Sequence, residues 1–213
     1  MPKSLSIVFI SDTHGKHWDI NIPYGDILIH GGDLTKKGMV DDVRDFDSFL
    51  GTLPHPHKIV IAGNHDFCFQ REPLKARAAL TNAIYLEDQA VEILGLNFYG
   101  SPWQPWFNNW AFNLRHGSEL KEKWSRIPEE TDILITHGPP YKRCDQTLAG
   151  DNVGCKELLA AIDRIRPAYH LFGHIHEAHG TDNNEHTTFM NASICDYNYH
   201  PSNKAMTFIV EKS

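Results

Sequence analysis

Five short apolar runs, each stopping at a residue able to ligate a metal, constrain this chain more than any other feature. Ile7-Val8-Phe9-Ile10-Ser11 runs into Asp12 and His14, and Ile27-Leu28-Ile29 runs through His30 and two glycines into Asp33. Ile59-Val60-Ile61-Ala62-Gly63 delivers Asn64, His65 and Asp66. Ile133-Leu134-Ile135-Thr136 delivers His137, and Tyr169-His170-Leu171-Phe172-Gly173 delivers His174 and His176. Short β-branched runs bounded by Gly, Pro or Asp read as buried strands. In open α/β sheets the crevice at the carboxyl ends of such strands is where ligands bind. The pattern therefore predicts carboxylates, an amide and imidazoles aimed at one place from five directions.

Between these strands the spacing predicts helices. Val40, Val43, Phe46, Phe49 and Leu50 recur at three- and four-residue intervals, with Asp41, Asp42, Arg44 and Asp45 on the other face. Leu158, Leu159, Ile162 and Ile165 repeat the pattern until Pro167 stops it. Residues 71–81 and 118–126 read as helices with less regular periodicity. Later strands, 90–94, 97–100, 187–192 and 205–210, follow with few helices between them. Alternating β-α units at the front and helix-poor β at the back predict a mixed α/β sheet system with helices outside. At 213 residues, with no repeat and no linker, the chain reads as one domain, 1–213.

Bulk composition sets limits on partners. With 41% hydrophobic residues the chain can build a sizeable core. A formal net charge of -7 and no Lys/Arg block argue against extended nucleic-acid binding. The cysteines, Cys68, Cys144, Cys155 and Cys195, form no C-x-x-C pair, so neither a zinc knuckle nor a disulfide framework is indicated. Scattered thiols suit a reducing compartment. Residues 1–6 lead straight to the first strand without the apolar core of a signal peptide, and no run reaches the ~20 apolar residues of a membrane span. The expectation is a cytoplasmic protein without membrane contact.

Any one histidine proves little, because most are satisfied polar residues. The ordered set differs in kind. Asp12-x-His14, Gly32-Asp33, Gly63-Asn64-His65-Asp66, His137-Gly138 and Gly173-His174-Ile175-His176 follow one another, each behind a strand. This set resembles the calcineurin-like binuclear metallophosphoesterase superfamily across Asp12 to His176. The resemblance implies a four-layer αββα sandwich of two mixed β-sheets flanked by helices, with a metal site at the strand C-terminal ends. It implies that Asp12, His14, Asp33 and His176 hold one divalent metal and that Asp33, Asn64, His137 and His174 hold the other, with Asp33 bridging. Carboxylate and imidazole donors suit Mn²⁺, Fe²⁺ or Zn²⁺, and the absence of thiolate ligands fits that range. A metal-bridging hydroxide would then attack phosphorus while the cluster keeps a net positive charge that attracts phosphate. The glycines of the blocks are expected to let strand ends turn sharply toward the ions.

His65 is not needed as a ligand in this scheme, which suits a catalytic role as proton donor to the leaving oxygen or as a positive charge stabilising the transition state, with Asp66 orienting its imidazole. The other reading of Asp66 is a turn cap. Ala62 and Asp66 stand where the protein Ser/Thr phosphatases resemble Arg and Glu, which marks that branch down. Gly100-Ser101-Pro102-Trp103-Gln104-Pro105 and Trp110-Ala111-Phe112-Asn113 resemble the metallophosphoesterase-domain (brain-protein-like) branch, which has bacterial relatives. His137-Gly138-Pro139-Pro140, His176-Glu177 and Asn191-Ala192-Ser193 match it too. That branch implies hydrolysis of phosphodiesters, with cyclic nucleotides or other small nucleotide-like diesters as substrates. The alternatives are a general phosphomonoesterase and a nucleotide-binding module with structural metals.

The Trp-rich segment, Trp103, Trp106, Phe107, Trp110 and Phe112, has no helical or strand period. Loop packing or a subunit contact is its first reading. The second is a wall for a nucleobase, with Trp103 the first candidate to join Asn64 and His65 in binding substrate. His30 reads as a buried or supporting residue, and His17 as a candidate for the site mouth. His55, His57, His116, His170, His179, His186 and His200 lack the block context. Residues 151–155 read as a loop entering a helix N-terminus, where backbone amides can receive an anion.

Overall fold

The apolar runs are continuous rather than alternating because both faces of each strand are covered. In the computed structural model, which describes residues 4–211, Leu5, Ile7 and Phe9 of β1 (Ser4–Ile10) face one cluster while Val8 and Ile10 face another. Met1–Lys3, the head of the expected leaderless N-terminal segment, lie outside the described residues. Beside β1 lie β2 (Ile27–His30), β3 (His57–Val60) and β4 (Ile84–Tyr85), all parallel, and β13 (Met206–Glu211) pairs antiparallel on its other side.

A second, six-stranded sheet runs in the order β11 (Gly180–Asn183), β12 (Thr188–Asn191), β10 (Tyr169–Phe172), β9 (Ile133–Thr136), β6 (Leu96–Ser101) and β5 (Gln89–Ile93). Its centre is parallel and its edge strands β11 and β5 are antiparallel. A two-stranded ribbon, β7 (Gln104–Pro105) with β8 (Asn113–Leu114), closes the Trp-rich segment.

The two sheets pack face to face. Ile7, Phe9, Ile29 and Ile61 meet Phe98, Ile135, Leu171 and Met190 in one cluster. Outside the first sheet, α1 (Val40–Thr52), α2 (Phe67–Arg71) and α3 (Pro73–Ala79) bury Phe46, Phe49, Phe69 and Ala76. Outside the second, α4 (Ser118–Ser125) and α5 (Lys156–Ile165) bury Leu120, Trp124, Leu158 and Ile162. The layers are helix, sheet, sheet, helix, as expected. No helix among the described residues is long and apolar enough to cross a membrane.

One helix departs from expectation. Residues 71–81 form the end of α2 and a separate α3, because Pro73 cannot continue a helix and holds Glu72 in a non-helical conformation (φ -132°, ψ 53°). Pro73 instead opens α3, where its missing amide costs no hydrogen bond.

Candidate metal centre

Beyond the ends of β1 and β12 the two sheets are tied together. Ser11 bridges Ser193, with Ser11 N donating to Ala192 O (3.0 Å) and Ile194 N to Ser11 O (2.8 Å). The loops that follow each strand therefore converge. The loop after β1 hangs from the loop after β2, with Asp12 N on Gly32 O and His14 N on Asp33 O, both at 2.9 Å. Asp12, His14, Asp33 and His174 all adopt positive φ, between 45° and 71°. Such conformations are costly for residues other than glycine and concentrate at functional sites.

Glycine makes this crowding possible in two ways: Gly32 turns the chain with a φ of 98°, as expected, and two others make room for carboxylates. A Cβ on Gly173 would overlap Asp12 Oδ2, and one on Gly63 would overlap Asp33 Oδ1. Neither residue has a positive φ; each is a glycine because a carboxylate occupies the place of its side chain. Gly138 has neither constraint, so the turning role expected for it is not observed.

Around these backbones the side chains present acceptors to one another. Asp12 Oδ2 accepts from His174 N and Ser193 Oγ, each at 2.9 Å, while its Oδ1 is buried without a hydrogen-bond partner. That Oδ1 lies 3.4 Å from His176 Nε2, which is 3.1 Å from His14 Nε2. Asp33 Oδ1 accepts from His65 N at 2.7 Å, and its Oδ2 faces three imidazoles: His137 at 3.5 Å, His14 at 3.7 Å and His65 at 4.0 Å. Asn64 Oδ1 is 2.8 Å from His137 Nε2, and the rings of His137 and His174 are 5.0 Å apart.

Backbone carbonyls set two of the tautomers. His137 Nδ1 donates to Gly31 O and His176 Nδ1 donates to Asp196 O, both at 3.0 Å. Each Nε2 is thereby turned inward, as the outer partners of metal-binding histidines do. Burial lowers His14 to about 4 and His174 to about 3, so both are neutral donors. Burial alone would raise Asp33, but its carboxylate faces the imidazole of His137 first, then those of His65 and His14, and these neighbours outweigh burial and hold it well below the usual carboxylate range. Ionised carboxylates, a buried oxygen without a donor and inward-facing imidazole nitrogens together make a donor set that fits divalent cations. Asp12–His14–His176, Asp12–Asp33–His137 and His14–Asp33–His65 each bring three such atoms within 4.8 Å of one another.

All seven expected ligands and His65 thus lie in one region. Two other expectations are corrected. Asp66 does not touch His65: its carboxylate accepts from Leu34 N (3.3 Å), Thr35 N (2.9 Å), Thr35 Oγ1 (2.8 Å) and Gly63 N (2.8 Å). His65 is oriented instead through its Nδ1, 3.1 Å from Lys36 O. Trp103 is not a wall of the site. Its Nε1 donates to Asp88 at 3.0 Å, Lys123 lies over its ring, and Phe112 packs edge-on against it.

The site opens into a cleft of about 1040 Å³. Trp106, Phe107 and Trp110 line it from the Trp-rich segment, and Tyr197 and Tyr199 from the loop after β12. Tyr199 escaped sequence reasoning, since it follows no strand-end block. Its φ of 61° places the ring against His14 (4.8 Å) and His176 (5.1 Å). Ser193 had a sequence signal in Asn191-Ala192-Ser193 but no role until its contact with Asp12. His30 supports the site as expected: its Nδ1 accepts from Gly32 N and its Nε2 faces Thr13 Oγ1 at 3.0 Å. His17 packs on Phe46 and Phe49 with Asp45 on its Nε2, held by α1 rather than by the cleft. At the N-terminus of α5 the carboxylate of Glu157 takes the Gly117 amide at 2.6 Å, so an acidic group already stands where an anion was expected.

Comparison with known proteins agrees with this geometry. A family model for calcineurin-like phosphoesterases matches residues 5–178. The chain is 44% identical over 227 residues to metallophosphoesterase domain-containing protein 1 of Homo sapiens, covering 95% of this chain and 70% of that one. It is 38% identical to UPF0046 protein T07D4.2 of Caenorhabditis elegans, covering 97% of this chain and 60% of that protein. The crystal structure of TT1561 of Thermus thermophilus superposes with a TM-score of 0.67 at 13% identity, over 98% of this chain and 99% of the other, a likeness of fold alone. Strand-end blocks, layers and relatives agree, and the chain belongs to the calcineurin-like phosphoesterase family, whose members hydrolyse phosphoesters with bound metal.

Proposed function

We propose that this chain hydrolyses small phosphodiesters, nucleotide-like ones among them, with two divalent cations. Asp12, His14, Asp33 and His176 would hold one cation; Asp33, Asn64, His137 and His174 would hold the other. When bound, the cations supply positive charge for the phosphoryl oxygens and render a water nucleophilic at neutral pH. The carrying observation is the convergence of carboxylate and imidazole acceptors, with His65 beside them, at an aromatic-walled cleft far larger than a phosphate group.

His65 donates Nδ1–H to Lys36 O, which leaves Nε2 facing Asp33 and the cleft. From there the imidazolium form delivers its Nε2 proton to the oxygen leaving phosphorus and becomes a neutral ring still bonded to Lys36 O, a contribution typically of about 10²–10⁴ in rate. Trp106 and Phe107, both more than half exposed, offer faces on which an aromatic substituent of the diester can stack. The four cysteines are unpaired, which supports the proposal of a reducing, cytoplasmic setting.

Turnover of bis-p-nitrophenyl phosphate and of p-nitrophenyl phosphate with Mn²⁺, Fe²⁺ or Zn²⁺ tests the reading. The diester should be the better substrate at neutral pH. A monoester preferred by orders of magnitude would refute the diesterase assignment and leave a phosphomonoesterase.

A further inference from the structure

His65 carries a hydrogen bond from Nδ1 to Lys36 O, yet one bond leaves its ring free to swing about that contact. The swing would move Nε2 away from Asp33. Trp110 removes that freedom. Its indole lies parallel to the imidazole, with ring centroids 4.2 Å apart and planes at 25°, while His14 meets the ring edge-on at 4.6 Å. A plane fixed by a stack and a direction fixed by a hydrogen bond together determine both side-chain torsions of a histidine.

Trp110 is itself held from two sides. Its successor Ala111 donates N–H to Asn64 O at 3.1 Å, so the Trp-rich loop is tied to the residue before His65. Phe67 lies 5.9 Å from the indole at 31°, and the Arg71 guanidinium covers Phe67 at 4.2 Å. Arg71, Phe67, Trp110 and His65 form one row that ends at the site. By contrast Trp106 and Phe107 have no aromatic partner among the described residues and are more than half exposed.

We propose that Trp110 is a positioning residue for His65, locking the imidazole so that Nε2 addresses the leaving oxygen, rather than a platform for substrate. The proposal rests on His65 acting as proton donor. Misplacing a catalytic group by about an ångström costs on the order of 100-fold in rate, so losing the stack should reduce kcat by about 10- to 100-fold.

Trp110→Ala, Trp110→Phe, His65→Gln and the double variant His65→Gln/Trp110→Ala would be compared as cation-loaded proteins. The substrates are bis-p-nitrophenyl phosphate and diphenyl phosphate, whose poorer leaving group depends more on a proton donor. Trp110→Ala should lower kcat with KM nearly unchanged, more on diphenyl phosphate, and Trp110→Phe should restore most of the loss. In the His65→Gln background Trp110→Ala should add nothing. In Zn²⁺-loaded protein the His65 ring protons, identified by their absence in His65→Gln, should be shifted upfield by the indole and lose that shift in Trp110→Ala. Trp110→Leu replaces the alanine variant if that one does not fold. A rise in KM at constant kcat, or losses that multiply in the double variant, would overturn the proposal while leaving His65 as donor. Wild-type kcat in His65→Gln would overturn the donor reading and the Trp110 proposal with it.

Discussion

The Asp66 carboxylate collects two backbone amides from the loop after β2, one from the loop after β3, and the Thr35 hydroxyl. It clamps the loop carrying Asp33 to the loop carrying Asn64 and His65. Burial, then the nearby Asp33 charge, pushes its pKa up to about 6, and the hydrogen bonds oppose that rise. Asp66→Ala would leave buried amides without an acceptor, each a loss of roughly 1–3 kcal/mol. The variant should lose about 2–4 kcal/mol in urea unfolding and bind cations more weakly. His65→Gln should leave both quantities close to wild type. A stable Asp66→Ala protein with normal cation content would contradict the clamp.

Asp33 offers the corresponding test of the bridge. Its Oδ2 lies within about 4 Å of His14, His65 and His137 together. Asp33→Asn should lower the occupancy of both cations, read as metal content per chain. Loss of one cation with full retention of the other would rule out the bridge. Sequence placed Asp33 and the six other ligand candidates because each follows a strand, where backbone direction alone sends the side chain to the sheet's carboxyl end. It failed for Asp66, because adjacency in sequence says nothing of direction within a tight turn. It also missed Tyr199, which reaches the site only through a left-handed backbone conformation in a loop without any strand signal.

At the scale of elements, the long apolar stretches were legible and the polar edges were not. Two-sided burial writes the runs 7–10 of β1, 27–29 of β2 and 133–135 of β9 as uninterrupted Ile, Leu, Val and Phe, and β10 keeps Leu171 and Phe172 behind the buried His170. β11, Gly180-Thr181-Asp182-Asn183, is an edge strand with two exposed residues and carries no such pattern. The ribbon of β7 and β8 is only two residues a side and exists because Gln104 N and Trp106 N find acceptors in Phe112 O and Leu114 O. Helix periodicity does predict the face on which α5 meets the second sheet, through Leu158, Ile162 and Ile165, whereas for the less regular α4 it predicts only the helix itself. Trp124 on α4 is 1% exposed among Leu120, Leu134, Leu158, Ile162 and Phe172. Trp124→Ala should cost about 3–5 kcal/mol in denaturant unfolding through loss of burial and the cavity it leaves. Because this cluster lies on the helix-covered face of the second sheet, cation content of the folded variant should be unchanged; a parallel loss of cations would place Trp124 in support of the centre.

The whole molecule joins its two sheets through the apolar layer between them, through the backbone bridge of Ser11 and Ser193, and through the proposed cation ligands. Asp12, His14, Asp33 and Asn64 come from loops of the first sheet, whereas His137, His174 and His176 come from loops of the second. Cations shared by both sets would therefore cross-link the sheets in the native state only, since the unfolded chain does not assemble the site. Binding restricted to the native state stabilises by mass action, about 2.7 kcal/mol at a free concentration of about 100 times Kd for each site. Tm should rise with Mn²⁺ or Zn²⁺ concentration and return to its starting value on chelation. Without cations nothing bridges the two ligand sets, so the metal-free protein should open first at the strand ends, seen as faster hydrogen exchange in the loops after β1, β2 and β10. The helix-covered faces should exchange as before. Asp33→Asn should show little dependence of Tm on cations, whereas His65→Gln should keep the full shift, because His65 is assigned to the reaction and not to the metals. A Tm independent of cations in the wild-type protein would refute the cross-link and return the stability of the sheet pair to the apolar layer and the backbone bridge of Ser11 and Ser193.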